Sequence, residues 1–128
     1  MPQNPPAGLH VLIRREELDP ARVAGKVVVV IDVLFATSTI VHALAGPATA
    51  VWPAGDEAHA EDLARRRPHA LRAGEYGART LPGCAPATPL ALAERLGDAR
   101  EVVYCTTNGT RAFARAAAGE GVFAGALS

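Results

Sequence analysis

At 128 residues the chain is long enough for one hydrophobic core and short for two ordinary domains. Its 13 lysines and arginines balance 13 aspartates and glutamates, which argues against a nucleic-acid surface or an anionic membrane as partner and leaves a small-molecule site or a protein contact. No run approaches the ~18 to 20 apolar residues of a membrane span, and MPQNPPAG at the N-terminus lacks a basic segment followed by an apolar one, so a cytoplasmic protein is expected.

Met1 to Gly8 reads as a proline-containing arm, with a single domain over 9–128. Leu9 to Ile13 is a short strand candidate, and the EELDPARV stretch behind it has room for a helical turn. Val27 to Ile31 is an unbroken β-branched run, the pattern of a strand buried on both faces. Asp32 ends it, and Ala36, Thr37, Ser38 and Thr39 open a helix, so the carboxylate stands where open α/β sheets place their ligands. A plain helix cap is the alternative for Asp32. The helix, Thr37 to Leu44, carries Ile40, Val41 and Leu44 as its stripe and stops at Gly46 and Pro47, with His42 partly exposed rather than a ligand.

Thr49 to Trp52 is a second strand, closed by Pro53 and Gly55. Asp56 caps a helix through Arg67 that turns Ala60, Leu63 and Ala64 inward and pairs Glu61 with Arg65 and Asp62 with Arg66 outside. Its His59, Arg65, Arg66 and Arg67 read as a solvated face. Ala70 to Ala73 is a brief third strand running into Gly74-Glu75-Tyr76-Gly77, a path that suits a plain turn or a binding loop. Leu81 to Thr88 reads as an extended surface loop. Thr88 and Pro89 then start a helix whose stripe is Leu90, Ala93 and Leu96 and whose stop is Gly97. Glu101 to Cys105 is a fourth, buried strand, followed by a helix with Ala112, Phe113, Ala116 and Ala117 that stops at Gly119; Val122 to Ala126 is the fifth strand. This alternation predicts an α/β fold, three-layer α/β/α with a mostly parallel central sheet. Cys84 and Cys105 lack metal-pair spacing and are expected as free thiols.

Two strand ends carry the polar residues that chemistry would need. Thr106, Thr107, Asn108, Gly109 and Thr110 open a helix whose first amides suit an anion, Arg111 follows in the first turn, and Thr37 and Ser38 add hydroxyls from the other strand end. Arg111 on an exposed helix face, and threonines that merely cap, are the plain alternatives. Asp32 and Glu75 are hard oxygen ligands of the kind Mg2+ takes alongside water and phosphate oxygens, which makes a phosphatase with both acids as catalytic and metal-binding residues the leading hypothesis. A haloacid-dehalogenase-type covalent scheme would want a second acid two residues after Asp32, and Leu34 stands there.

VVVVIDVLFATSTIVHAL, the GEYG turn and VVYCTTNGTRA, in this order and spacing, resemble the 2-phosphosulfolactate phosphatase family over most of the chain after Leu9. The resemblance implies an α/β/α fold and a magnesium-dependent hydrolase acting on 2-phospho-3-sulfolactate, a step of coenzyme M biosynthesis in archaea that make it. The chain departs from the family pattern at Phe35 and Tyr76, where the pattern has arginine, and at Cys84 and Ala87, where it has aspartate and asparagine. Family members are also longer, and the chain stops where a further α/β half would begin. The competing expectation is a non-catalytic module that binds a small anion or serves as a subunit, with a homodimer covering an open sheet edge.

Overall fold

The computed structural model describes residues 8–127, so the expected arm at 1–7 lies outside the described residues. Six strands and four α-helices follow one another as β1 Val27–Ile31, α1 Ala36–Ala45, β2 Ala50–Ala54, α2 Glu57–Arg66, β3 Leu71–Tyr76, β4 Arg79–Thr80, α3 Pro89–Leu96, β5 Glu101–Cys105, α4 Gly109–Ala116 and β6 Gly121–Gly125. The fold is α/β and mostly parallel, and its strands divide between two sheets. One has the order β2-β5-β3-β4, parallel except for β4, and the other is the parallel pair β1-β6.

The central strand, β5, explains the packing. Side chains alternate along a strand, so Val102 and Tyr104 enter one core cluster with Ile40, Leu92 and Leu96, while Val103 and Cys105 enter a second with Ala54 and Ala60. Helix α2 packs on β2 and β5 on the second side, and α1 and α4 each touch both sheets. Close packing is achieved on small side chains, since most residues of the two clusters are alanine or valine.

Several expectations give way. Leu9 to Ile13 forms no strand; Leu9 and Ile13 are about 90% exposed, and the segment leads into two short 3-10 turns, Arg15–Glu17 and Pro20–Arg22, which fill the place expected for a helical turn. Strand β1 is buried on one face only, because a two-stranded sheet has helices on a single side: Val30 is buried while Val27, Val29 and Ile31 are exposed. Pro53 lies inside β2, not after it, which an edge strand tolerates because that position needs no ladder N–H. In α1 the buried side is Thr37, Thr39, Ile40 and Ala43, leaving Leu44 exposed, and in α3 it is Leu92 and Leu96, leaving Leu90 and Ala93 exposed. Thr88 occupies the N-cap of α3 without a side-chain cap bond.

Of the surface pairs on α2, Asp62 meets Arg66 at 2.7 Å and Arg65 at 3.4 Å, but Glu61 reaches Arg72 instead. Arg67 is not simply solvated: its guanidinium lies 3.5 Å from the Trp52 ring centroid, and its Nε is 3.6 Å from Glu101. Asp56 caps α2 as expected, its carboxylate accepting from the His59 amide at 2.7 Å.

Candidate active site at the ends of β1 and β5

Strand β3 continues through Gly74-Glu75-Tyr76, and the turn falls one step later, at Gly77 and Ala78. Both have positive φ, 56° and 65°, the requirement of a two-residue type I′ hairpin into β4. Gly74 is needed for close approach: a Cβ there would stand 2.4 Å from the Cys105 carbonyl oxygen. The hairpin projects Glu75 beside the turn that follows β5. Its carboxylate accepts from the Thr107 amide (2.6 Å), the Thr107 hydroxyl (2.8 Å) and the Ala78 amide (2.8 Å), while Thr107 Oγ1 in turn accepts from the Gly77 amide (2.8 Å). Burial works to raise the Glu75 carboxyl, but those amides, the Thr107 hydroxyl and the charge of Arg111 outweigh it and hold the group below the usual glutamate range.

Asp32 is held differently. Burial lifts its pKa, the Gly109 amide pulls it down, and the nearby charge of Glu75 adds to the rise, leaving it above the usual aspartate range. A Cβ on Gly109 would lie 2.8 Å from Asp32 Oδ2 and 2.3 Å from Ala36 Cβ, so α4 starts against the carboxylate because position 109 has no side chain. Asp32 and Glu75 line one cavity of about 270 Å³ together with Thr106, Thr107 and Asn108, so the two remote segments do converge.

The remaining expected anion-binding residues divide. Thr37 is fully buried and its Oγ1 accepts from the Asp32 amide at 2.8 Å; Ser38 donates to the Val33 carbonyl at 2.8 Å. Thr110, also fully buried, takes the Thr106 amide on its hydroxyl at 2.7 Å. These three hydroxyls build the turns and stand outside the cavity lining, since each is consumed by the backbone beside it. The first amides of α4 are likewise taken, Gly109 by Asp32 and Thr110 by Thr106 Oγ1 at 3.1 Å. Arg111 lies outside the lining with its guanidinium carbon 5.8 Å from the Tyr76 ring centroid, near enough for its charge to reach Glu75.

Sequence reasoning missed residues that no local pattern marks. Arg15, from the first 3-10 turn, donates to Asn108 Oδ1 across the chain. Leu81 to Thr88, read as surface, runs inward: Ala85 and Ala87 are buried, and the Ala87 carbonyl accepts from the Tyr104 hydroxyl (2.7 Å) and Thr39 (2.9 Å). Burial pushes the Tyr104 phenol far above its ordinary range, so it serves as a neutral donor. Leu34, Phe35 and Ala87 also line the cavity.

A second cavity, of about 240 Å³, opens beside α2 and contains both thiols, Cys84 and Cys105, with Arg72 and Glu61. Both thiols are free, and burial raises both pKa values, which keeps them protonated and poor as nucleophiles or metal ligands. Among the described residues, no group of three or more histidine, cysteine or acidic side chains could hold a metal ion, and no helix is long and apolar enough to cross a membrane. Magnesium asks for less, one or two carboxylates with water and phosphate oxygens completing the shell, and two like charges in one small cavity fit that demand.

Comparison with known proteins identifies the family. The family described as 2-phosphosulpholactate phosphatase matches residues 12–128. A protein of Symbiobacterium thermophilum is 42% identical over 107 residues, covering 81% of this chain and 46% of its own length. One from Nostoc punctiforme is 36% identical over 91% of this chain and 48% of its own length, and one from Caldicellulosiruptor saccharolyticus is 35% identical over 77% and 41%. All three carry the name probable 2-phosphosulfolactate phosphatase. The chain thus spans about half the length of the curated relatives it matches.

Proposed function

Because the chain belongs to the 2-phosphosulpholactate phosphatase family, we propose that it carries out magnesium-dependent hydrolysis of a small phosphomonoester, with 2-phospho-3-sulfolactate, cleaved to sulfolactate and phosphate, as the reference substrate. The observation that supports this reading is the convergence of Asp32, Glu75 and the turn after β5 on one cavity. Asp32 and Glu75 would hold Mg2+, which when bound supplies charge neutralisation at the phosphoryl oxygens and a more acidic water.

The chain's own groups position the reaction. Glu75 is fixed by three donors from two elements, so its carboxylate is oriented before any ligand arrives. Asp32 accepts from one backbone amide, and its remaining lone pairs are the ones available to a cation. Asn108 lines the cavity with its Oδ1 occupied by Arg15, which leaves Nδ2 to donate to a phosphate oxygen. A cytoplasmic location and a second copy of the chain against the open face of β1-β6 complete the proposal.

One observation favours a second reading, the subunit form of a non-catalytic module: the Thr107 and Gly109 amides already serve the protein's own carboxylates and are not free for an external anion. Phosphate release from 2-phospho-3-sulfolactate and simpler phosphomonoesters, with Mg2+ and with chelator, separates the two. Turnover that requires Mg2+ and is lost in Asp32→Ala supports the phosphatase; absence of turnover on every ester, with folding intact, supports the module.

A further inference from the structure

We propose that Arg15 is a positioning residue of the site: it draws the Asn108 side chain away from its own helix and aims the amide nitrogen at the phosphoryl group. The inference rests on the phosphatase reading and adds to it a residue 93 positions away from Asn108 in the chain.

Asn108 occupies the N-cap of α4, where an asparagine ordinarily turns its side-chain oxygen back onto the first amides of the helix. It makes no such bond. The Gly109 amide goes to Asp32 and the Thr110 amide to Thr106 Oγ1, so capping is handled by other groups and the asparagine is released for another use. Its oxygen accepts from Arg15 instead. A guanidinium carries only donors, so this contact fixes the two ends of the amide: Oδ1 faces Arg15, and Nδ2 is left to donate into the cavity that Asn108 lines. Without Arg15 the amide is free to rotate and to set an oxygen against a phosphate oxygen, two acceptors with no proton between them.

The segment that carries Arg15 is fastened to α4 at two points. Arg15 meets the N-cap, and Arg115 Nη2, from the last turn, donates back to the Leu18 carbonyl at 2.6 Å. The turn itself is set locally, by the Glu17 carboxylate accepting from the Ile13 amide at 3.0 Å and by the Leu18 amide donating to the Arg15 carbonyl at 3.1 Å. Glu16 takes Arg15 Nη2 at 3.2 Å, which leaves Nη1 for Asn108. Arg15 is thus held before a substrate arrives, and its charge polarises the Asn108 amide and strengthens Nδ2 as a donor.

A double-mutant cycle tests this. With 2-phospho-3-sulfolactate and Mg2+, Arg15→Met, which keeps the stem and removes the donors, should lower kcat/KM ~10-fold or more, the scale of one charge-assisted hydrogen bond. Arg15→Lys, which keeps a donor, should recover most of that loss. In an Asn108→Ala background Arg15→Met should cause no further loss. An equal loss in that background means that the guanidinium acts on its own account and overturns the proposal, as does full activity in Arg15→Met alone. A second readout is independent of turnover. Besides Asn108, only Gln3 and Asn4 carry primary amide side chains, so the Asn108 NH2 pair is readily picked out in an NMR spectrum. In the wild-type chain with Mg2+ that pair should shift on addition of inorganic phosphate, and in Arg15→Met the shift should be lost while circular dichroism reports an intact fold. No wild-type shift, or the same shift in the variant, refutes the role given to Arg15. Absence of turnover on every ester, alongside the wild-type shift and its loss in Arg15→Met, removes the phosphatase reading and leaves the placement of Asn108 by Arg15 standing.

Discussion

Asp32 and Glu75 face one cavity yet are displaced in opposite directions, and each displacement carries a stability consequence. For Asp32 the folded pKa exceeds the unfolded one, so ionisation opposes folding: the penalty is absent below the unfolded value and complete above the folded value. Asp32→Asn should therefore raise Tm at pH 7 in calorimetry while reducing turnover ~100-fold or more, the scale for removing one preorganised electrostatic group. A fall in Tm would instead mark Asp32 as a helix cap. Glu75 has the opposite sign: its contribution is present above the unfolded pKa and is lost as pH falls through the depressed folded value. Glu75→Gln should lower stability at pH 7 by about 1 kcal/mol, discounted for its partial exposure, and should flatten the acid limb of the denaturation profile. Both acids were legible in the sequence because each stands beside a strand end or turn. The capture of the Gly109 amide by Asp32 was not, since it depends on how closely the start of α4 approaches the end of β1.

Among the elements, β5 was the most legible. A strand that feeds two cores reads as a continuous apolar run, and its boundaries coincide with those expected. Strand β1 shows the same run and is open on one face, so a β-branched stretch reports strand formation without reporting which faces are covered. The turn expected over Gly74 to Gly77 falls at Gly77 and Ala78, and β3 runs to Tyr76, three residues past the expected end at Ala73, because the sequence offers two glycines and only the register against β4 selects the second. Gly109 against Ala36 is a junction with no room for a side chain. Gly109→Ala should cost about 1–3 kcal/mol in denaturant unfolding, as overpacking does, and should displace Asp32 enough to reduce turnover with it. An unchanged midpoint would show that α4 has room to shift.

At the scale of the whole molecule, the α/β class followed from alternating elements, whereas the division into two sheets did not, because strand pairing is a non-local choice. The division leaves Val27, Val29, Ile31 and Phe123 exposed together on the β1-β6 pair. The second copy proposed above would cover this apolar face, so light scattering after gel filtration should give twice the 13.3 kDa chain mass, reduced to the monomer by Val29→Asp. A wild-type monomer at all concentrations would remove the second copy from the account. Beyond assembly, everything proposed depends on one cation site shared by β1, the β3 hairpin and the turn after β5. Paramagnetic broadening by Mn2+ in an amide NMR spectrum locates that site directly. Selective loss of signals around Asp32, Glu75 and Thr106 to Gly109, reversed by Mg2+ and absent in Asp32→Asn, is the predicted result; broadening centred elsewhere, or none, would contradict it.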